Sequence, residues 1–282
     1  METLSVGVAD GVRLNVRSWP VTAGDAAAAP CVLVHGLASN ARLWDGVAAR
    51  TSAAGHPTYA VDLRAHGESD VPEEGYDTAT AAADLAALCD ALGIAGAIVA
   101  GQSWGGNVVV RLAAQHPELV AALVLVDGGW IDLRRQFKSW RACESRLRPP
   151  EIDGRPASEV RGWLTRSHPG WESWAIDATV ANLRIEPDGT VRRRLSIPRH
   201  MSIVRSMWDD APERDYPALG MPVWLMPAMS RKAGDDHPSA AAARAIADAT
   251  LVPVRGGDHD LHAQHPELVA DVIVQAGQKD AS

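Results

Sequence analysis

Continuous apolar runs alternate with stretches of helical hydrophobic spacing along most of this chain. Five of these runs are long enough for strands that are buried on both faces of a sheet. They cover residues 30–37, 58–63, 97–102, 119–126 and 221–226. Between them, apolar residues recur at helical spacing over 42–54, 78–92 and 107–115. Strands that alternate with helices predict a mostly parallel, doubly wound α/β sheet.

The two ends of the chain carry shorter elements. Residues 3–9 and 12–19 alternate in polarity on either side of Asp10-Gly11, a dipeptide that favours a tight turn. They therefore predict an opening antiparallel hairpin. The pattern near the other end predicts a helix at about 238–249, a strand at 250–254 and a closing helix from about Pro266.

The alternation is interrupted after Trp130 and returns at Met221. Residues 130–215 carry 16 Lys and Arg against 13 Asp and Glu, a net charge of +3, whereas the rest of the chain has a net charge of −11. This segment also holds six of the ten tryptophans, namely Trp130, Trp140, Trp163, Trp171, Trp174 and Trp208. We predict a core of residues 1–129 and 216–282 and a cap, or lid, of residues 130–215.

Within this predicted cap, residues 183–195 indicate a hairpin around Asp188-Gly189, and 199–208 indicate a helix. The run Arg192-Arg193-Arg194 is typical of a solvated strand face rather than of a binding patch. The cap tryptophans have two possible uses: they could line a pocket for an apolar or aromatic group, or they could pack the small core of the cap.

Composition restricts the class of protein. With 282 residues, 46% of them apolar, the chain is long enough for one large domain with an insertion. A net charge of −8 argues against a general affinity for nucleic acid or anionic membranes. Since the amino end lacks a basic segment followed by a long apolar one, we expect a soluble, cytoplasmic protein whose partner is a small-molecule substrate. The oligomeric state is left open.

Candidate chemistry centres on residues 101–106, Gly-Gln-Ser-Trp-Gly-Gly, between an apolar run and a helix. The pattern Gly-x-Ser-x-Gly in this context is a nucleophile elbow, a strained turn that exposes the serine hydroxyl above the sheet. Only residues without a Cβ let the strand and helix pass so closely, which is the role expected of Gly101 and Gly105. Ser103 is therefore the candidate nucleophile.

Four segments together resemble the α/β-hydrolase superfamily, in particular its capped serine hydrolases. They are His35-Gly36-Leu37, Asp62 to Ser69, Gly101 to Gly106, and Gly257-Asp258-His259 through Pro266. The resemblance implies the α/β-hydrolase fold, a mostly parallel eight-stranded doubly wound sheet with a helical cap insertion after the sixth strand. It also implies a catalytic triad with the chain order Ser, acid, His.

The resemblance assigns roles to further residues. His259 matches the general base, with His262 as its rival. The backbone N–H groups of Leu37 and Trp104 match the oxyanion hole. We expect Trp104, Trp130 and His35 to contribute to substrate binding. Histidines 259, 262 and 265 lack recognisable metal spacing, so no metal site and no cofactor are expected.

The triad acid departs from the commonest pattern of the family. Ser230 and Arg231 stand where most members place an aspartate, and Asp235 and Asp236 come several residues later. Asp127 ends the sixth strand, at the edge where active-site groups of open α/β sheets gather. Two glycines follow it and allow a sharp turn. We predict Asp127 as the acid and keep Asp235 and Asp236 as the alternative.

This arrangement predicts acyl transfer to water. Since Ser103 replaces the aspartate nucleophile of haloalkane dehalogenases and epoxide hydrolases, it excludes their alkyl-ester chemistry. The leading hypothesis is a serine hydrolase that cleaves a carboxylic ester, or a related lactone or thioester, through an acyl-enzyme. Two alternatives stay open: a carbon–carbon bond hydrolase with the same triad, and a ligand-binding receptor module of this fold with little turnover.

Overall fold

The computed structural model describes residues 1–21, 28–231 and 237–278. Its strands are, in chain order, β1 (Glu2–Gly7), β2 (Arg13–Trp19), β3 (Cys31–Val34), β4 (Thr58–Val61), β5 (Ala97–Gln102), β6 (Val120–Val126), β7 (Leu183–Ile185), β8 (Val191–Arg193), β9 (Val223–Met226), β10 (Ala228–Met229), β11 (Ala249–Leu251) and β12 (Val254–Arg255).

The described part of the chain also forms eleven α-helices: α1 (Asp45–Ala53), α2 (Thr78–Leu92), α3 (Trp104–Gln115), α4 (Leu133–Gln136), α5 (Trp140–Leu147), α6 (Ala157–Ser167), α7 (Ser173–Val180), α8 (Ile197–Asp209), α9 (Pro238–Ala245), α10 (Leu261–Gln264) and α11 (Pro266–Gln278). Short 3₁₀ segments lie at Ala9–Gly11, Ala41–Trp44, Pro117–Leu119 and Pro212–Ala218. None of the described helices combines the length and the hydrophobicity needed to cross a bilayer.

Eight strands form one sheet, in the order β1-β2-β4-β3-β5-β6-β9-β11. Strands β1 and β2 pair antiparallel, and β2 pairs antiparallel with β4. All the remaining neighbours in this sheet are parallel. The predicted mostly parallel, eight-stranded sheet is therefore confirmed. Since the parallel strands share one direction, their carboxyl ends lie along one edge, and the loops that follow them meet there.

The central strand β5 shows why its sequence is a continuous apolar run. Ile98 and Ala100 belong to the apolar core on one face of the sheet, together with α1 and α11. Ala97 and Val99 belong to the core on the other face, together with α2 and α3. Successive side chains of a strand point to opposite faces, so a strand covered on both sides requires apolar residues at every position.

Three elements differ from the sequence-based expectation. The first hairpin has a five-residue connection with Asp10 and Gly11 both at positive φ (57° and 72°), rather than a two-residue turn. The elbow helix begins at Trp104, directly after Ser103, and not at Asn107. The predicted strand 250–254 divides: β11 joins the main sheet, and β12 pairs with β10 in a separate two-stranded sheet.

Residues 130–215 form helices α4 to α8 and the β7–β8 hairpin. Val160, Leu164, Ile176, Leu183 and Val191 make a small apolar cluster of their own. Helix α8 packs instead on the main core through Met201, Ile203 and Val204. Some side chains of this segment thus pack in a small cluster of their own, and others pack on the main core. The division of the chain into core and cap stays a prediction.

A buried ion pair joins the loop after β4 to helix α2. Arg64 donates from Nε and Nη2 to the two carboxylate oxygens of Asp84, at 2.5 and 2.7 Å. The two side chains are only 5% and 1% exposed. A bidentate pair of this kind fixes both position and orientation. Removal of one partner leaves the other charge buried without compensation.

We therefore expect Asp84→Asn to lower the free energy of unfolding by about 3–5 kcal/mol, because the Arg64 guanidinium stays buried beside a neutral amide. Denaturant unfolding followed by circular dichroism measures this change. Asp90→Asn, at an exposed position of the same helix, is the matched control and should shift stability by no more than about 0.5 kcal/mol. Equal effects of the two substitutions would contradict the assignment.

Candidate active site

Ser103 occupies a strained turn between β5 and α3. Its backbone has φ 53° and ψ −123°, in a region that side chains rarely adopt. A Cβ on Gly101 would lie 2.5 Å from the carbonyl oxygen of Gly105, and one on Gly105 would lie 2.4 Å from that of His35. Both glycines are therefore required by the close approach of backbone to backbone, as the elbow pattern predicts.

The end of β6 also holds this turn. The N–H of Ser103 donates to the carbonyl oxygen of Val126 at 3.0 Å. A Cβ on Gly128 would lie 2.1 Å from the carbonyl oxygen of Ser103, so this position also excludes a side chain. The strained backbone of Ser103 is thus enclosed by segments that leave it no room to relax.

His259 reaches Ser103 from the loop after β12. Its Nε2 lies 2.9 Å from the Ser103 hydroxyl, and its Nδ1 lies 2.6 Å from Oδ2 of Asp127. With Nδ1 protonated and donating to the carboxylate, Nε2 is free to accept the proton of the hydroxyl. The side chain of Gln102 donates to the carbonyl oxygen of His259 at 3.0 Å and holds the loop from the other side.

Asp127 follows β6 directly and has a positive φ of 42°. Its second carboxylate oxygen, Oδ1, accepts a hydrogen bond from the N–H of Ala228 at 3.0 Å. One oxygen is thus fixed by backbone while the other faces the imidazole. Asp235 and Asp236, the alternative acids, lie outside the described residues. The geometry places Asp127 in the position that a triad acid requires.

The surroundings raise the pKa of His259. Burial by itself would lower it, but the hydrogen bond that the ring donates to Asp127 and the negative charges of Asp260, Asp127 and Asp258 together outweigh burial. About half of the imidazole side chain is still exposed (54%). An imidazole in this setting can take up a proton and be stabilised as the cation.

His262 lies in a different environment, although it is only three residues away. It is fully buried, and its ring stacks on Trp44 with 4.5 Å between the ring centroids. Burial lowers its pKa to about 3. Neither of its ring nitrogens has a hydrogen-bond partner in the part of the chain that the structure describes. His259, and not its rival, is the histidine that contacts Ser103.

Two backbone N–H groups beside Ser103 are available to an oxyanion. They belong to Leu37 and Trp104, and neither makes a hydrogen bond within the described residues. The loop that carries Leu37 is held by its neighbours: the N–H of Ala38 donates to Nε2 of His66 at 3.1 Å, and that of Ser39 to the carbonyl oxygen of Gly36 at 3.3 Å. Donors fixed in this way need little reorganisation when negative charge develops.

Two of the expected substrate-binding side chains do not face the site. His35 is fully buried and uses both ring nitrogens on backbone, with Nδ1 2.7 Å from the carbonyl oxygen of Gly36 and Nε2 3.0 Å from the N–H of Leu63. Burial lowers its pKa to about 4. Trp104 is 2% exposed, and its indole N–H donates to the hydroxyl of Thr78 at 3.1 Å. For these two side chains the expectation was wrong, because both serve the packing behind the elbow.

A cavity of about 440 Å³ opens beside Ser103 and His259. Much of its apolar lining comes from the segment after β6 and from α8, and six of its fourteen lining residues are polar. The lining residues are Leu37, Ser103, Asp127, Trp130, Ile131, Leu133, Gln136, Leu147, His200, Val204, Met207, His237, Pro238 and His259. Trp130 is thus placed where the sequence analysis expected it.

Among the lining residues that sequence reasoning missed are two histidines, His200 and His237. A signal for the first was present: His200, Val204 and Met207 recur at helical spacing on the buried face of α8, so the histidine shares a face with apolar residues. Burial lowers the pKa of His200 to about 4 and keeps it neutral. His237 precedes Pro238 at the start of α9, and nothing in the local pattern links it to Ser103.

The other five cap tryptophans do not line this cavity. Trp140 and Trp208 pack edge to face, with ring centroids 5.9 Å apart. Trp163 is exposed, and Trp174 packs beside Ala175 and Ala178. Trp171 donates its indole N–H to Asp258 at 2.8 Å and so contacts the loop that carries His259. Most cap tryptophans therefore serve packing.

Comparison with known proteins gives consistent matches. The family model of the alpha/beta hydrolase fold matches residues 30–148. The 2-(acetamidomethylene)succinate hydrolase of Mesorhizobium japonicum is 28% identical over 93% of this chain and 90% of its own. A non-heme chloroperoxidase of Streptomyces lividans is 38% identical over 124 residues, or 44% of each chain.

Solved structures agree with these matches. The crystal structure of E-2-(acetamidomethylene)succinate hydrolase aligns with a TM-score of 0.80 and 26% identity, over 97% of this chain and 98% of that one. The thioesterase domain from the curacin biosynthetic pathway aligns with a TM-score of 0.78 at 18% identity over 97% and 99%, which shows a shared fold. The relatives support a hydrolase, and the family model and the solved structures together support the α/β-hydrolase superfamily for this chain.

Proposed function

We propose that the protein is a serine hydrolase that cleaves a carboxylic ester, or a related acyl bond, in a small substrate. The observation that carries this proposal is the continuous series of contacts from Ser103 Oγ to His259 Nε2 at 2.9 Å and from His259 Nδ1 to Asp127 Oδ2 at 2.6 Å. Such a series combines a nucleophile, a base in reach of its proton and a carboxylate that orients the base.

The chemistry follows from this order. Ser103 Oγ attacks the acyl carbon while its proton passes to His259, and the carbonyl oxygen gains negative charge next to the N–H groups of Leu37 and Trp104. His259 then returns the proton to the leaving group as the bond to it breaks. A water that His259 deprotonates attacks the acyl-enzyme, and the acid is released with Ser103 restored.

The cavity supports a substrate of moderate size with an apolar part. Its volume, about 440 Å³, lies within the usual range for small-molecule sites. Most of its lining is apolar, and within the described residues it contains no Lys or Arg. Trp130, Ile131, Leu133 and Val204 would surround the apolar part, while Gln136, His200 and His237 offer neutral or weakly basic polar contacts.

A second candidate is the hydrolysis of an acylamino group. It is favoured by the 2-(acetamidomethylene)succinate hydrolase, which matches this chain over 93% of its length. The name of that relative's substrate contains an acetamido group and two carboxylates. The same triad serves both candidates, since amide cleavage differs mainly in the proton that His259 must deliver to nitrogen.

The first test combines a fluorophosphonate probe with a panel of 4-nitrophenyl esters, small lactones and N-acyl enamines. We expect the probe to label wild-type protein at Ser103, Ser103→Ala to remain unlabelled, and short-chain esters to be hydrolysed. The replacement of Ser103 should lower kcat by about 10⁴-fold or more, because the nucleophile is lost. Ser52→Ala, far from the cavity, is a matched control.

A wild-type protein that is neither labelled nor active on any member of the panel would instead favour a binding module. Turnover of N-acyl enamines with no turnover of esters would favour the second candidate.

The second prediction concerns Asp127, the proposed acid of the triad. We expect Asp127→Asn to lower kcat by about 10⁴-fold with little change in KM, because the amide no longer holds His259 in the required tautomer. Steady-state kinetics on the best ester measures this loss. Asp235→Asn and Asp236→Asn are the controls and should retain nearly full activity. If either control loses more activity than Asp127→Asn, the acid has been assigned to the wrong residue.

The third prediction concerns pH. Since only a neutral imidazole accepts the proton of Ser103, activity falls as His259 becomes protonated, and its raised pKa moves this loss to higher pH. We expect the acidic limb of kcat/KM against pH to have its midpoint above about 6.5, the ordinary value for histidine. Asp260→Asn removes a nearby negative charge and should move the midpoint down. A midpoint below the ordinary value would contradict the proposed base.

A further inference from the structure

The arginines of the β7–β8 hairpin do not share one environment. Arg192 is exposed and pairs with Glu186, as expected of a solvated strand face. Arg193 and Arg194 are partly buried and line a second, small cavity of about 40 Å³. Ala38 and Ser39, from the loop after β3, line the same cavity. For these two arginines the expectation of a solvated face was wrong.

Several polar groups of this cavity lack partners within the described residues. The hydroxyl of Ser39, a residue that is only 8% exposed, makes no hydrogen bond. The Nε atoms of Arg193 and Arg194 are also buried and without a partner. A buried polar group without a hydrogen-bond partner destabilises the folded state, and more so when it is charged. Three such groups belong to residues that line one cavity, although each of these atoms is itself buried.

The charge of the cavity is positive. Arg194 donates from Nη2 to Glu68 at 2.7 Å, whereas Arg193 makes no salt bridge with any described carboxylate. Its Nη2 donates to the carbonyl oxygen of Pro150 instead. Asp153 lies nearby, but it accepts from the backbone N–H of Arg193 at 2.9 Å. The charges of Asp153 and Glu151 act on Arg193 without forming a salt bridge, and its Nε has no hydrogen-bond partner among the described residues.

The small cavity adjoins the site of the proposed chemistry. Leu37 lines the cavity at Ser103, and the next two residues, Ala38 and Ser39, line the small one. The charge of Arg193 also acts on His200, which lines the cavity at Ser103 and whose pKa it helps to lower after burial. The loop of residues 37–39 therefore runs from the cavity at Ser103 to the small cavity, although the two share no lining residue.

We infer that the small cavity is a subsite for a carboxylate group of the substrate, held by Arg193, Arg194 and the hydroxyl of Ser39. A guanidinium and a hydroxyl present N–H and O–H donors, which suit a planar anion. A volume of about 40 Å³ has room for a carboxylate in place of a few water molecules. The inference rests on the proposed function, because it assigns the anion to the molecule that Ser103 attacks.

The kinetic test compares charged and neutral acyl groups of the same shape. The substrates are mono-4-nitrophenyl esters of malonic to adipic acid and their neutral isosteres, such as 4-nitrophenyl 4-methylpentanoate for the succinyl ester. We expect at least one charged ester to exceed its isostere about tenfold in kcat/KM. Arg193→Gln should lower that ratio at least tenfold, mainly through KM, and Ser39→Ala should lower it less. Arg192→Gln, on the same hairpin, should keep it.

A binding test is independent of turnover. In Ser103→Ala protein, succinate should raise Tm by about 2 °C or more at saturation, and the added Arg193→Gln should abolish this rise. Acetate and inorganic phosphate are the comparison probes. If these free anions stabilise the protein through Arg193 while no charged ester is preferred, the anion is not part of the substrate and the inference fails.

The outcomes separate this inference from the proposed function. Ester hydrolysis that is indifferent to the acyl charge and to Arg193→Gln would overturn the subsite alone. Succinate binding that depends on Arg193, in a protein that cleaves neither an ester nor an N-acyl enamine, would overturn the proposed function and the substrate subsite together and leave an anion site without a role in the chemistry.

Discussion

The close approach of three backbone segments at Ser103 is the constraint on which the site depends. The β5–α3 turn, the loop after β3 and the end of β6 meet where Gly105 faces the carbonyl oxygen of His35 and Gly128 faces Ser103 itself. These contacts leave no space for a Cβ, so they hold the strained φ of 53° at Ser103. The same proximity places the N–H groups of Leu37 and Trp104 beside the hydroxyl. Nucleophile and oxyanion donors are thus fixed by one packing arrangement.

The sequence predicts this part of the molecule well because the constraint is local. Glycines in the elbow, apolar runs on both sides and an aspartate at the end of β6 are all visible as pattern, and the structure brings Ser103, Asp127 and His259 together. The sequence does not predict the direction of individual side chains equally well. Trp104 sits on the elbow, yet its indole turns away to Thr78 because the core behind the helix has room for it. Such choices depend on tertiary packing and leave no periodic signal.

In the segment 130–215, the sequence indicates even less about the direction of individual side chains. Its charge and tryptophan content set it apart in sequence, but neither property indicates which side chain faces which cavity. Trp130 lines the cavity at Ser103, whereas Trp171 contacts Asp258, one residue before His259. Arg192 and Arg193 are neighbours, yet Arg192 is exposed and Arg193 lines the small cavity, because successive residues of a strand point to opposite sides.

The surroundings of five histidines distinguish His259, the candidate base, from the other four. His35, His66, His200 and His262 are buried, and burial lowers the pKa of each to about 3 or 4. His35 and His66 use their ring nitrogens to hold backbone beside the oxyanion loop. His259 alone among these five contacts a carboxylate, and its pKa is raised although burial opposes the change. A proton taken from Ser103 is therefore far more stable on His259 than on any of the other four. The hydrogen bond to Asp127 and the nearby charges of Asp260 and Asp258 thus distinguish the candidate base from four buried histidines.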